Sequence, residues 1–103
     1  MDQQELEQKM QYAERVLEEL GAVPQDINQK NRKVLDQRVT YLLGNNYYRI
    51  AWEEFDGKPY IILNAIDNEK FADIGLMEDI QAISANGSRE TIRRKIREAV
   101  ENS

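Results

Sequence analysis

The feature that most constrains this chain is the dipeptide Asp56-Gly57, set between two runs of alternating residues. Asp-Gly is among the strongest signals for a two-residue hairpin turn, because both turn positions need positive φ and these residue types tolerate it. Counting outward pairs Trp52 with Ile61, Ile50 with Leu63 and Tyr48 with Ala65 on one face of a hairpin over 47–66. The other face pairs Glu53 with Tyr60, Ala51 with Ile62, Arg49 with Asn64 and Tyr47 with Ile66. Side chains alternate along a strand, so each face is a separate surface. Pro59 lacks an N–H, which predicts an edge position there or a strand that starts just beyond it.

A lone hairpin is marginal in water and needs a covering layer. The flanking segments have the pattern to supply one. Leu6, Met10, Ala13, Leu17 and Leu20 recur at helical spacing over 3–20, and Gly21 is placed to end that helix. Ser88 is a helix cap for 88–102, where Ile92, Ile96, Ala99 and Val100 form the apolar stripe. Residues 25–43 read as a further helix with Ile27, Val34, Leu35, Val39 and Leu42 near one face. Its end, Val39–Leu43, also has the composition of a strand. Asp67 is placed to cap a short helix over 68–74 with Phe71 and Ile74 inward, and 76–85 fits either helix or strand. The expectation is one α+β domain over 1–103: a two- or three-stranded antiparallel sheet packed with N- and C-terminal helices, in the order α-α-β-β-α-α. In it Trp52, Ile50, Ile61 and Leu63 are core residues.

With 103 residues there is room for one hydrophobic core. The net charge of −5 disfavours general nucleic-acid binding. There is no cysteine and no histidine. That removes disulfides, thiolate nucleophiles, the commonest general base and the usual ligands of transition metals. No glycine cluster of the phosphate-binding types occurs. The longest aliphatic run, Ile61–Leu63, is far short of a membrane span, and no secretion signal is visible, so a cytoplasmic location is expected. Asn86-Gly87-Ser88 matches a glycosylation acceptor but reads more simply as a turn before a helix cap.

Three groups of residues remain for function. Tyr47, Tyr60, Ile62 and Ile66 lie with Ala51 on the second hairpin face. If the helices cover only the first face, that patch is a protein-binding surface, with helix 3–20 beside it. Arg89, Arg93 and Arg97 are four residues apart and form one helical strip that could meet a polyanion. The pairs Glu90–Arg94, Arg94–Glu98 and Arg97–Glu101 are instead ordinary exposed-helix decoration. Asp67, Glu69, Asp73, Glu78 and Asp79 are oxygen ligands suited to magnesium, though their spacing matches no calcium loop, and the simpler reading is a solvated face. Glu53 and Glu54 are adjacent on a strand and point to opposite faces, so they cannot form a catalytic dyad. The function expected is a non-enzymatic interaction or regulatory module that binds another protein or itself, as a homodimer for example. No cofactor and no resident metal is expected. The alternatives are a small-molecule or magnesium-dependent enzyme using the acidic group 67–79, and a polyanion binder through the arginine strip.

Overall fold

The computed structural model describes residues 2–25, 39–73 and 76–103. Helix α1 (Gln3–Glu19) starts at Asp2, whose carboxylate accepts from the Glu5 backbone N–H at 2.8 Å. Strands β1 (Val23–Gln25), β2 (Thr40–Leu43), β3 (Asn46–Phe55) and β4 (Lys58–Ile66) follow, then helix α2 (Glu69–Asp73), strand β5 (Glu78–Ser84) and helix α3 (Arg89–Glu101). The strands form one antiparallel sheet in the spatial order β1-β2-β3-β4-β5. This is α+β, but the sheet has five strands among the described residues rather than two or three. The order is α-β-β-β-β-α-β-α rather than α-α-β-β-α-α.

The hairpin register is the one the Asp56-Gly57 turn dictates, pair for pair from Phe55↔Lys58 to Tyr47↔Ile66. Both turn residues have positive φ, 52° at Asp56 and 75° at Gly57, as the tight primed turn requires. Pro59 sits where its strand has only one ladder partner, since β5 joins β4 at Tyr60 and beyond.

The extra strands come from the two ambiguous segments. The end of the helix expected over 25–43 is strand β2. Thr40–Leu43 pairs with Arg49–Asn46 across a second tight turn at Gly44-Asn45, and this ladder outweighs a weak helical spacing among β-branched and aromatic residues. Val23–Gln25 pairs with the other side of β2 as an edge strand, a position that tolerates Pro24. The rest of that expected helix, with Ile27, Val34 and Leu35, lies outside the described residues. Segment 78–84 is a strand, with a bulge where Leu63↔Gln81 gives way to Asn64↔Asp79. The bulge leaves Ile80 without a ladder partner and lets it pack on the same core as Ile83. The short helix α2 is capped by Asn68, not Asp67: the Asn68 amide oxygen accepts from the backbone N–H groups of Lys70 and Phe71. Phe71 points out, 46% exposed, and Ala72 is the residue turned inward; Ile74 lies outside the described residues.

Helices α1 and α3 pack side by side on one face of the sheet. Leu6, Met10, Ala13, Val16 and Leu17 of α1 and Ile92 and Ile96 of α3 meet Tyr41, Tyr48, Ile50, Ile61, Leu63 and Ile83. Ile50, Ile61 and Leu63 are core as expected, but Trp52 is not; it is 43% exposed. Three side chains tie the helices to each other and to the sheet. Lys9 Nζ donates to the backbone carbonyls of Ala85 and Gly87, at 2.7 and 2.9 Å, which ties α1 to the turn before α3. The Tyr41 hydroxyl donates to Glu18 at 3.1 Å. Arg93 of α3 donates to both Tyr12 and Glu19 of α1.

Candidate functional site

Alternation along β3 and β4 places Glu53, Phe55 and Tyr60 on the second face, while Trp52, Glu54 and Pro59 stand on the helix face. The ribbon outruns its neighbours. Among the described residues, β2 pairs with β3 only as far as Arg49, and β5 pairs with β4 only from Tyr60 inward. Residues 52–58 are all exposed. The Phe55 and Tyr60 rings meet edge to face with centroids 5.6 Å apart, which braces one side of the ribbon. On the other side a shallow cleft of about 260 Å³ opens between the start of α1 and the ribbon, lined by Asp2, Gln3, Leu6, Trp52, Glu54, Gly57 and Pro59. The tip thus presents two large apolar side chains, Trp52 and Phe55 (51% exposed), among Glu53, Glu54 and Asp56 with Lys58 as the one cation.

The residues singled out from sequence fall differently. Tyr47, Tyr60 and Ile66 are half-buried, and Ile62 is buried at 2% exposure, so the centre of the second face offers Ile62 no surface. That face is also not simply apolar. Thr40, Arg49, Asn64 and Asp79 line up across β2, β3, β4 and β5 as one transverse polar row. Thr40 and Asn64 are buried, and the Asn64 side-chain amide donates to the Asp79 carboxylate. The row could not be seen before the strand neighbours were known, because only the Arg49–Asn64 pair belongs to the hairpin. Helix α2 lies against β4 with Ala72 buried.

The described members of the acidic group are divided between two places, and the Asp73 side chain lies outside the described residues. Asp79 bonds Asn64, whereas Asp67 and Glu78 line an open cleft of about 310 Å³ with Asn46, Ile66 and Ser103. Among the described residues no group of three or more carboxylates is placed to hold a metal ion. The arginine strip is only partly free. Arg93 pairs with Glu19 at 2.5 Å, while Arg94 and Glu98 form an i,i+4 pair at 3.6 Å. The hydrogen bond from Arg93 holds the Glu19 carboxyl below its usual range; desolvation opposes it, and the charges of Arg93, Arg15 and Arg97 add to the lowering. Burial, reinforced by Glu14 and the bond to Glu18, pushes the Tyr41 hydroxyl well above the ordinary tyrosine range. No described helix is long and apolar enough to cross a membrane.

No family model, curated protein or solved structure matches this chain.

The tip residues were missed as a site because sequence pattern put Trp52 in the core. The available signal was local: Glu53-Glu54 beside Trp52 and Phe55 is a charged stretch at the outer end of a strand, where burial is hardest to achieve.

Proposed function

We propose that this chain is a non-enzymatic protein-interaction module whose contact surface is the tip of the β3–β4 hairpin. The observation that carries the reading is the exposure of Trp52 and Phe55 together, 43% and 51%, on a ribbon that outruns the described strands beside it. Tryptophan and other aromatics are favoured at the centres of protein contacts, where ring burial is large and few rotamers are lost. Glu53, Glu54 and Asp56 around the rings give the tip a negative field, so it selects a basic partner surface and repels nucleic acid. Tyr60 supports the Phe55 ring from the same face, while Tyr47 and Ile66 lie apart from the tip, beyond the buried Ile62 and Asn64.

Trp52 is the only tryptophan in the chain, so its emission reports on the tip alone. Its emission maximum is to be followed against protein concentration and against an added lysine- and arginine-rich peptide. A blue shift in either titration, lost in a Phe55→Ser variant that melts like the parent, is the expected result. An emission maximum unmoved in both titrations overturns the reading.

A further inference from the structure

The second unusual surface lies on the seam between α1 and α3. The guanidinium carbons of Arg15, Arg89 and Arg93 sit 5.9, 5.4 and 5.8 Å from the centroid of one ring, Tyr12. Arg93 also donates from Nε to the Tyr12 hydroxyl at 3.1 Å. Arg97 lies one turn further along α3, close enough to act on Glu19. Among the described residues Glu19 is the sole carboxylate that pairs with any of these four arginines. A chain of net charge −5 thus gathers three guanidinium groups around one tyrosine, with Arg97 a turn away. Like charges this close repel, and a tyrosine face offsets that only in part. An anionic partner group would relieve it.

We propose that this basic seam is the docking surface for the hairpin tip of a second copy of the chain. The inference rests on the tip being an interaction surface and names its partner. The charges are complementary: the tip carries Glu53 on one face of its ribbon, Glu54 on the other and Asp56 in the turn, and an end-on approach brings this acidic end against Arg15, Arg89 and Arg97. Trp52 and Phe55 flank the acidic stretch and bring apolar area to a contact that charge alone would leave weak in salt. Among the described residues no ion pair joins tip and seam within one chain, which leaves both available to a neighbour.

The test uses two double variants of the full chain. Glu53→Lys with Glu54→Lys reverses the tip. Arg89→Glu with Arg97→Glu reverses the seam while sparing Arg93 and its bonds to Tyr12 and Glu19. Thermal unfolding first establishes that each variant folds. Sedimentation and light scattering at low salt should then show concentration-dependent association of the parent. Each variant should associate at least about tenfold more weakly, and about 0.5 M salt should weaken the parent similarly. An equimolar mixture of the two variants still contains one intact seam and one intact tip, or two reversed surfaces facing each other, and should recover a 1:1 complex. A parent that stays monomeric at millimolar concentration and low salt overturns the proposal. Loss of association in the tip variant alone, or a mixture that recovers nothing, overturns it equally. If Trp52 emission responds to the basic peptide while the parent remains monomeric, the tip is an interaction surface for another partner and only the self-docking inference falls.

Discussion

The two halves of the β3–β4 hairpin have the same local pattern and opposite fates. In the inner half, Ile50 opposite Leu63 is buried completely beneath α1 and α3, and Tyr48 opposite Ala65 nearly so. In the outer half, Trp52 opposite Ile61 begins to emerge, and from Glu53 to Lys58 every residue is exposed. Nothing in the alternation of side chains marks that boundary. It falls where β2 and β5 stop and where α1 begins, at Asp2 and Gln3 beside Trp52 and Glu54. A period-2 pattern says which residues share a face; it is silent on whether another element reaches far enough to cover that face. An apolar residue just past that limit is left exposed, which is how the largest side chain of the hairpin comes to stand at its tip.

The sharpest way to test the boundary is to truncate on both sides of it. Ile50→Ala should cost about 2–5 kcal/mol, because a fully buried side chain is replaced by a cavity in a core that can only partly collapse. In a domain of this size that is a large share of the total stability, and chemical unfolding would read it as a lower midpoint with an unchanged slope.

The helix layer can be loosened without touching the sheet. Lys9→Met keeps most of the aliphatic stem and removes two hydrogen bonds to the carbonyls of Ala85 and Gly87. The expected cost is about 1–2 kcal/mol, since charge-assisted bonds to carbonyls are worth more than neutral ones and both acceptors lose their partner. Hydrogen exchange should show the amides around the 85–88 turn opening more readily, with β3 and β4 little changed.

Tyr41→Phe removes only the hydroxyl that bonds Glu18 and should cost about 0.5–1.5 kcal/mol at neutral pH. It also has a pH signature. The folded state raises the Tyr41 pKa, so the neutral phenol's contribution is fully present below the ordinary tyrosine value of 10.0 and declines as pH rises above it. Alkaline unfolding above about pH 10 should be steeper in the parent than in Tyr41→Phe. Equal slopes would mean that the hydroxyl is not held in the folded state as described.

The smallest effect belongs to the tip. Trp52→Ala should lower stability by no more than about 1 kcal/mol, because a half-exposed ring loses little packing. The contrast with Ile50→Ala, two residues away on the same face, is the measurement that decides the comparison. If both truncations cost alike in thermal unfolding, the tip is structural and no boundary separates Trp52 from Ile50.

Much of the architecture was legible because it depends on local chemistry. The Asp56-Gly57 turn needs only two positive φ values, and once it is placed every pair of the hairpin register follows by counting. The cores of α1 and α3 follow from a spacing that repeats over several turns, and the Ser88 cap acts within three residues; the Asp2 cap of α1 was equally local and was not read. Thr40–Leu43 was not legible, since four residues of mixed propensity take whichever partner is available, and the partner was a strand edge. The bulge at Ile80 depends likewise on the neighbouring strand.

The candidate surfaces divide along the same line. Sequence alone determined that this chain has no histidine or cysteine for chemistry, that Glu53 and Glu54 face opposite ways, and that Arg89, Arg93 and Arg97 share one strip of a helix. Each of those is a matter of composition or of the period of one element. Only the tertiary structure decided that Trp52 stands exposed, that Ile62 is buried, that four polar residues cross four strands in one row, and that Arg89 and Arg93 crowd the ring of Tyr12 on another helix. Those outcomes depend on which elements end where and which surfaces they bring together. Burial and electrostatics act through space, over distances that the chain's local pattern does not encode.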